Sequence, residues 1–377
     1  MENDLQNLKN PKVAFIAHPT DMNMYRSYIR YLKPDKTYDD KLLLKLFEWS
    51  PSYKIAEWKN LSFDNIDFFD AMFVMVPFLP EMKDISLKKI VEKIDQALTI
   101  ASDKNYSVAA LGAFTSIVLQ GQEKDFAQKH NMVLTSGNSL TAATIVRSIE
   151  QISSTLGVAL DECTLGIIGA SGDIGSACVA YMQNKVKAMI LTARSEASLQ
   201  TMVKSLASGS GCDMKLTTDN KAAVAKSDIV LFVTSSYVPM FSQNDFMPGT
   251  IVCDASAPLN VRVSSQLRDD VFIYHGGILS LPFTIDPGFD IGLASPNTFY
   301  GCQIEGALLA LDASLPYSWG RGNISMKKIG DFIRKLYTVP NLRIAYSVGT
   351  HTYLQANLHK YKQVFSRIKN KQFLECA

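Results

Sequence analysis

Over most of the 377-residue chain, short and almost wholly apolar runs alternate with stretches whose apolar positions recur at helical spacing. In the first part KVAFIAH (Lys12 to His18) and AMFVMVPF (Ala71 to Phe78) predict strands. SLKKIVEKIDQALTIASD places Leu87, Ile90, Val91, Ile94 and Leu98 on one helical face. SVAALGAF and MVLTSGN predict strands that end in glycine turns, and a helix from about Leu140 to Thr155 follows, with Ser139 or Thr141 to cap it. From Cys163 to Gly277 the rhythm is regular. Strands are predicted at TLGIIGA, AMILTAR, MKLTT, DIVLFVTS, TIVCDAS and VFIYHGG, with connections that fit right-handed parallel crossovers. Strands so uniformly apolar are covered on both faces, which predicts a doubly wound sheet. Beyond Gly277 the Pro- and Gly-rich LPFTIDPGFDIGLASPN leads into FYGCQIEGALLALDA, a predicted helix with Ile304, Ala307, Leu308 and Leu311 on one face. HKYKQVFSRIKNKQ, near the end, predicts a basic helix with Val364, Phe365 and Ile368 interleaved.

Composition changes this picture little. With 47% hydrophobic and 20% charged residues the chain reads as an ordinary globular protein, and a net charge of +2 does not fit a nucleic-acid binder. The positive charge is concentrated from Arg321 onward, where eleven Lys or Arg face only Asp331 and Glu375. Six cysteines lie without CxxC or metal-ligand spacing, which fits a reduced, cytoplasmic protein and points to no metal site. The polar MENDLQNLKN start has no signal-peptide apolar core, and no apolar run reaches the roughly 20 residues of a membrane span. Any membrane contact is therefore expected to be peripheral.

Candidate chemistry begins at TLGIIGASGDIGSACVAYM, where Gly169, Gly172 and Gly175 follow a strand and open a helix. In that context the first glycine permits a tight turn, the second lets backbone approach a pyrophosphate, and the third lets helix and strand pack closely. The alternative is a close-packed turn with no ligand. The phosphates of a dinucleotide would rest on the N–H groups of the helix start, so Ser171, Asp173 and Ile174 join the glycines as cofactor contacts. The next strand ends in Arg194 and Ser195, about where an acid would otherwise hold the ribose 2′-hydroxyl. An arginine and a hydroxyl there suit a 2′-phosphate, so NADPH is expected over NADH. Thr234 and Ser235, closing the DIVLFVTS strand, complete the expected cofactor set.

Cys302, in SPNTFYGCQIEG, stands near a predicted helix start, several residues after a cap at Ser295 or Asn297, with Gly301 and Gly306 leaving room beside it. Such a thiol is either shifted toward the nucleophilic thiolate or is simply a buried apolar cysteine.

FLPEM, LGAFTSI, TSGN with LTA, GASGDIGSA, ILTAR, HGGI, CQIE and SWGRGNI occur in order between residues 78 and 324. On these stretches the chain resembles the aldehyde-forming long-chain fatty acyl-[acyl-carrier-protein] reductases of cyanobacteria, over nearly all of residues 12–335. The resemblance implies that Cys302 takes an acyl group from a carrier thioester and that NADPH then reduces it to a fatty aldehyde. The chain departs from the family at Asp254, Ala255 and Ser256, in place of an Asp-Gly-Gly run, and at Ser139-Leu140, in place of Thr-His. These departures bear on chain length and carrier identity more than on reaction type.

The expected fold is α/β, a doubly wound parallel Rossmann-type sheet with a second α/β substrate domain. The expected boundaries are a substrate domain over 1–145, an NADP-binding domain over 146–285, a helical segment carrying Cys302 and returning to the substrate side over 286–340, and a basic extension over 341–377. Oxyanion donors are sought at His275, Ser116 and Asn138; His18 has a weaker claim. Glu305, one turn after Cys302, either handles a proton or orients its neighbours, and a carboxylate too near would oppose thiolate formation. Large apolar residues from Phe63 to Phe78 either line an acyl tunnel or belong to the core. Acyl carrier protein or CoA is the expected acyl donor, and an aldehyde-consuming enzyme is an expected partner. The basic tail, with Lys360, Lys362, Arg367, Lys369 and Lys371, offers a surface to a carrier, to anionic lipid or merely to solvent. The rival readings are a small-metabolite dehydrogenase without a covalent step, a reductase of CoA or peptidyl-carrier thioesters, and a non-catalytic NADPH-binding module.

Overall fold

The computed structural model describes residues 11–82, 85–206, 211–318 and 323–376, with side chains placed up to residue 368. The polar stretch 1–10, Trp319 to Gly322 of SWGRGNI, and the side chains of Lys369 and Lys371 lie outside the described residues. The chain divides into two compact units, Met1–Thr141 with Ile278–Ala345, and Ala142–Gly277 with Tyr346–Ala377.

In the first unit, strands β1 (Lys12–Ala17), β2 (Tyr53–Ser62), β3 (Phe68–Met75), β4 (Val108–Leu111) and β5 (Val133–Thr135) form a sheet in the order β2-β3-β1-β4-β5. All pairings are parallel except that of β2 with β3. β2 is an edge strand with half-exposed, irregularly alternating residues and register shifts at Lys54/Ala56 and Trp58/Leu61, which is why hydrophobic alternation does not reveal it. The helices are α1 (Met22–Leu32), α2 (Asp40–Trp49), α3 (Leu87–Ser102), α4 (Phe114–Val118), α5 (Glu123–His130) and the first turn of α6 (Asn138–Leu156). Asp21, Asp39 and Ser86 cap the first three by accepting backbone N–H groups.

The second unit carries β6 (Thr164–Ile168), α7 (Asp173–Met182), β7 (Ala188–Thr192), α8 (Glu196–Lys204), β8 (Asp213–Thr217), α9 (Asn220–Ala225), β9 (Ile229–Phe232), β10 (Phe241–Ser242), β11 (Ile251–Asp254), β12 (Val261–Arg262) and β13 (Phe272–His275). Six of these strands form an all-parallel sheet in the order β13-β11-β9-β6-β7-β8. Each of the six coincides with a predicted strand, and the order is that of a doubly wound dinucleotide fold. The sheet's inner strands are buried apart from the first residues of β6 and β7, as their unbroken apolar runs require.

The chain then returns to the first unit through β14 (Ile278–Ser280), β15 (Thr298–Tyr300), α10 (Gly301–Leu311), α11 (Met326–Thr338) and β16 (Arg343–Ile344). It closes in the second with β17 (Ser347–Val348), β18 (His351–Thr352) and α12 (Gln355–Cys376). α12 is docked: Leu358, Tyr361 and Phe365 are buried, and the Tyr361 hydroxyl donates to the Arg268 carbonyl at 2.8 Å.

Candidate active site

α10 is apolar almost all round, and nine of its eleven residues are buried, as such a helix must be. It lies on β1, β3 and β4. Close approach is possible because both surfaces are small: a Cβ on Gly306 would sit 2.8 Å from the Ala110 Cβ and 3.0 Å from the Val13 Cγ2. β15 runs directly into the helix, so the residue at the helix boundary is Tyr300, not the expected Ser295 or Asn297, which bond to each other in the preceding turn. Cys302 is thereby the second residue of α10, and it is partly exposed, whereas its helical neighbours Gly301 and Gln303 are buried.

Burial pushes the Cys302 thiol up to about 12, and the charge of Glu305 adds to this; the backbone N–H groups of Gln303, Ala113 and Cys302 itself act in the opposite direction. The resting thiol is therefore protonated at neutral pH. Ala113 is brought to the sulfur by the turn between β4 and α4, where it adopts φ 53° and ψ −130°, a conformation that a non-glycine residue rarely takes. His18 holds that turn: its Nε2 accepts the Phe114 N–H at 3.0 Å, and its Nδ1 lies 2.7 Å from the Pro19 carbonyl and so donates to it. With both ring nitrogens engaged and its pKa lowered to about 4 by burial, His18 is a neutral support.

Glu305 is completely buried and both its oxygens are occupied. Oε1 accepts from the Thr135 hydroxyl at 2.5 Å and the Ser318 N–H at 2.9 Å, and Oε2 accepts the Leu140 N–H at 2.7 Å. Burial raises its pKa against these donors. The Ser318 hydroxyl extends the network to Ser139, whose N–H donates to it at 2.6 Å. The TSGN turn is thus clamped to α10, and Gly137, at φ +67°, lies directly on the Cys302 backbone. Ser139 sits inside α6, which begins at Asn138, two residues earlier than expected.

This unit, then, holds Cys302, Glu305, Asn138 of the TSGN turn, and Ser116 of α4, whose hydroxyl donates to the Ala113 carbonyl at 3.2 Å. Thr135, Ser318, Ala113 and Gln303 carry no chemical signal of their own in the sequence beyond their places in the TSGN, SWGRGNI, LGAFTSI and CQIE stretches. The Gln303 side chain is buried, its Nε2 packs on Gly112, and its Oε1 has no hydrogen-bond partner. Of the large apolar residues between 63 and 78, Phe63, Phe69, Met72, Phe73, Met75 and Phe78 are in the core, while Phe68 is exposed.

The second unit holds His275 and the expected cofactor residues. His275 ends β13, is buried, and has its pKa lowered to about 4 by desolvation. The glycine turn fits a dinucleotide on its own geometry. Gly169 has φ +94° and no room for a Cβ against the Val233 carbonyl, 2.7 Å away. Gly175 packs on the Gly169 carbonyl, which a Cβ would approach to 2.4 Å. Gly172 is the N-cap of α7 and, lacking a side chain, leaves the helix start uncapped for an anion, with Ser171, Asp173 and Ile174 on either side. Arg194 and Ser195 are exposed beyond the end of β7, Ser195 being the N-cap of α8 without a side-chain cap bond. Thr234 and Ser235 follow β9, and the Thr234 N–H donates to the Ser256 hydroxyl at 3.3 Å. The Asp254 carboxylate is buried beneath this edge and accepts the N–H groups of Ser256, Asn260 and Val261.

Residues 164–275 match the semialdehyde dehydrogenase NAD binding domain. The chain is 29% identical over 335 residues to a long-chain acyl-[acyl-carrier-protein] reductase of Synechococcus elongatus, covering 84% of this chain and 94% of the relative. It is 23% identical over 315 residues to the aminotransferase PigE of a Serratia species, covering 80% of this chain and 36% of that longer protein. Among solved structures, the nucleotide-binding domain of glutamyl-tRNA reductase from Thermoplasma volcanium aligns with 35% of this chain and 84% of its own at 15% identity and a TM-score of 0.27. The glycine turn lies inside the matched nucleotide-binding region, and the likeness to the Synechococcus enzyme runs almost from end to end; the chain is an NAD(P)-binding oxidoreductase similar to the long-chain acyl-[acyl-carrier-protein] reductases.

Proposed function

We propose that this protein reduces a long-chain acyl thioester to a fatty aldehyde with NADPH, by way of an acyl group held on Cys302. The observation that carries this reading is the position of Cys302: a residue that keeps partial exposure on the first turn of α10, with the N–H groups of Ala113, Gln303 and Cys302 itself directed at its sulfur. The likeness to the Synechococcus reductase supports the choice of acyl-carrier thioester.

In the first step the Cys302 sulfur forms a bond to the acyl carbon, the carrier's C–S bond breaks, and the cysteine proton ends on the released pantetheine thiol. Exchange of one thioester for another is nearly energy-neutral, so the carbonyl is fixed in place at little cost. The dinucleotide, when bound on the Gly169 turn, supplies hydride to that carbonyl. The resulting hemithioacetal collapses to aldehyde, and the cysteine recovers a proton from solvent. Backbone N–H groups beside Cys302, with Ser116 and Asn138 as proposed side-chain donors, stabilise the oxyanion. Glu305 is a positioning residue in this scheme. Its charge opposes ionisation of the thiol, and its oxygens are committed to Thr135, Ser318 and Leu140.

NADPH is preferred here because Arg194 and Ser195 are exposed beyond β7, where a 2′-phosphate would be met by positive charge. The carrier is an acyl carrier protein or coenzyme A, the aldehyde passes to a consuming enzyme, and the protein works in the cytoplasm.

The test is to incubate the protein with a long-chain acyl thioester, without reductant, and to measure intact mass. Acyl mass on the wild type and none on Cys302→Ala is the expected result. Aldehyde formation by Cys302→Ala at near the wild-type rate would instead favour a dehydrogenase without a covalent step.

A further inference from the structure

Among the described residues no helix is long and apolar enough to cross a membrane, yet α1, α2 and α3 of the first unit, which pack on one another, carry several exposed apolar side chains. On α2 the inner residues Leu43 and Phe47 are spent on the core. Leu42, Leu46 and Trp49, at i, i+4 and i+7, form a second stripe that is 43%, 43% and 74% exposed. Tyr31 and Leu32 at the end of α1, and Leu87 at the start of α3, are also exposed, at 55%, 48% and 62%. Soluble surfaces scatter such residues singly, and their concentration on adjoining helices calls for a partner.

The platform beneath the stripe is rigid. Tyr25 of α1 stacks on Phe47 of α2 with ring centroids 3.8 Å apart. Arg26 forms a two-pronged pair with Asp40. From α3, Lys93 donates to the carbonyls of Phe47, Ser50 and Pro77 at 2.7–2.9 Å, closing the end of α2, and Lys89 pairs with Glu48 at 3.0 Å. These contacts also settle the local charge. Asp40 and Glu48 are paired, and Asp39 accepts the Leu42 N–H as a cap. The exposed Lys41, Lys45 and Lys88 make no ion pair among the described residues.

We propose that the outer face of α2, with the adjoining ends of α1 and α3, docks on an anionic lipid surface. Leucines at helical spacing enter the acyl region, Trp49 takes the headgroup boundary, and the lysines one position around the helix keep their ammonium groups with lipid phosphates while their stems lie along the apolar layer. The geometry favours a bilayer over an acidic protein because the apolar stripe is continuous along the helix and Lys41 and Lys45 border one side of it.

The test uses the full-length protein and vesicles of phosphatidylcholine with and without phosphatidylglycerol. Co-sedimentation with anionic vesicles is expected, falling at least tenfold in a variant carrying Leu42→Ser, Leu46→Ser and Trp49→Ser, with dinucleotide binding unchanged as the check on folding. Lys41→Glu with Lys45→Glu should remove the preference for the anionic vesicles. Brominated acyl chains should quench part of the tryptophan emission, and Trp49→Phe should abolish that part. The proposal is overturned if the wild type does not partition, if the triple variant partitions equally, or if charge reversal at Lys360, Lys362 and Arg367 alone abolishes binding. A wild-type dimer that the triple variant disperses would overturn it too, by assigning this face to a second copy of the chain.

Discussion

The backbone of Gly137 rests on that of Cys302: a Cβ on Gly137 would fall 2.0 Å from the Cys302 carbonyl oxygen and 2.1 Å from its Cα. No side chain can be accommodated there without moving the first turn of α10. Gly137→Ala should therefore destabilise the protein by about 3 kcal/mol or more, combining overpacking with a left-handed backbone. Gly157, at φ +76° with nothing within 4 Å of a Cβ, provides the control, and Gly157→Ala should cost only about 1–2 kcal/mol. Denaturant midpoints of the two variants decide the matter, and equal losses would mean that the contact at Cys302 is not tight.

The environment of Glu305 predicts how the thiol titrates. With Cys302 pushed up to about 12, its alkylation by iodoacetamide should keep accelerating well above neutral pH. Glu305→Gln removes the opposing charge, so the Cys302 profile should move to lower pH. Glu305→Ala should cost about 3 kcal/mol or more, because buried donors on Thr135, Leu140 and Ser318 lose their acceptor. An unchanged alkylation profile in Glu305→Gln would rule out the electrostatic coupling.

Cofactor choice is tested at Arg194. Arg194→Asp should weaken NADPH by about 10- to 100-fold, the loss of one charge-assisted contact, while leaving NADH nearly unaffected. Equal losses for the two dinucleotides, read from binding titrations, would remove Arg194 from any role in distinguishing them.

Acid stability follows from the two buried histidines. The pKa values of His18 and His275 are lowered from an ordinary 6.5 to about 4, so the unfolded chain takes up protons first. Their stabilisation is complete above 6.5 and is lost as pH falls toward 4, on the order of 3 kcal/mol for each. Asp254 acts in the other direction. Burial raises it from 3.8 to about 6, so its contribution is complete below 3.8 and is lost as pH rises through 6, offsetting part of the histidine effect. Net stability should still decrease from pH 6.5 to 4. Stability curves measured across this window should be flatter for His18→Gln than for the wild type, because a proton on Nε2 would face the Phe114 N–H that it now accepts.

Features that repeat or turn locally are legible along the chain. The six parallel strands of the second unit are continuous apolar runs whose connections fit crossovers of one hand; their order in the sheet came from the structure. The glycine turn declares itself because a tight bend against Val233 and close packing on the Gly169 carbonyl exclude any Cβ, a requirement written into three positions of one short stretch. Cys302 could be singled out, but whether it was a nucleophile or a core thiol could not be read from its neighbours in the chain.

The surroundings of that sulfur arise from contacts between distant parts of the chain. Glu305 acquires its positioning role from Thr135 and Leu140, 170 and 165 residues away, and Ser139 reaches Ser318 across 179. The strained Ala113, the irregular edge strand β2 and the exposed stripe of α2 likewise depend on what packs beside them. Hydrophobic period and turn chemistry act between residues a few positions apart, whereas desolvation, hydrogen-bond partners and the face that a helix leaves uncovered come into being only when distant segments meet.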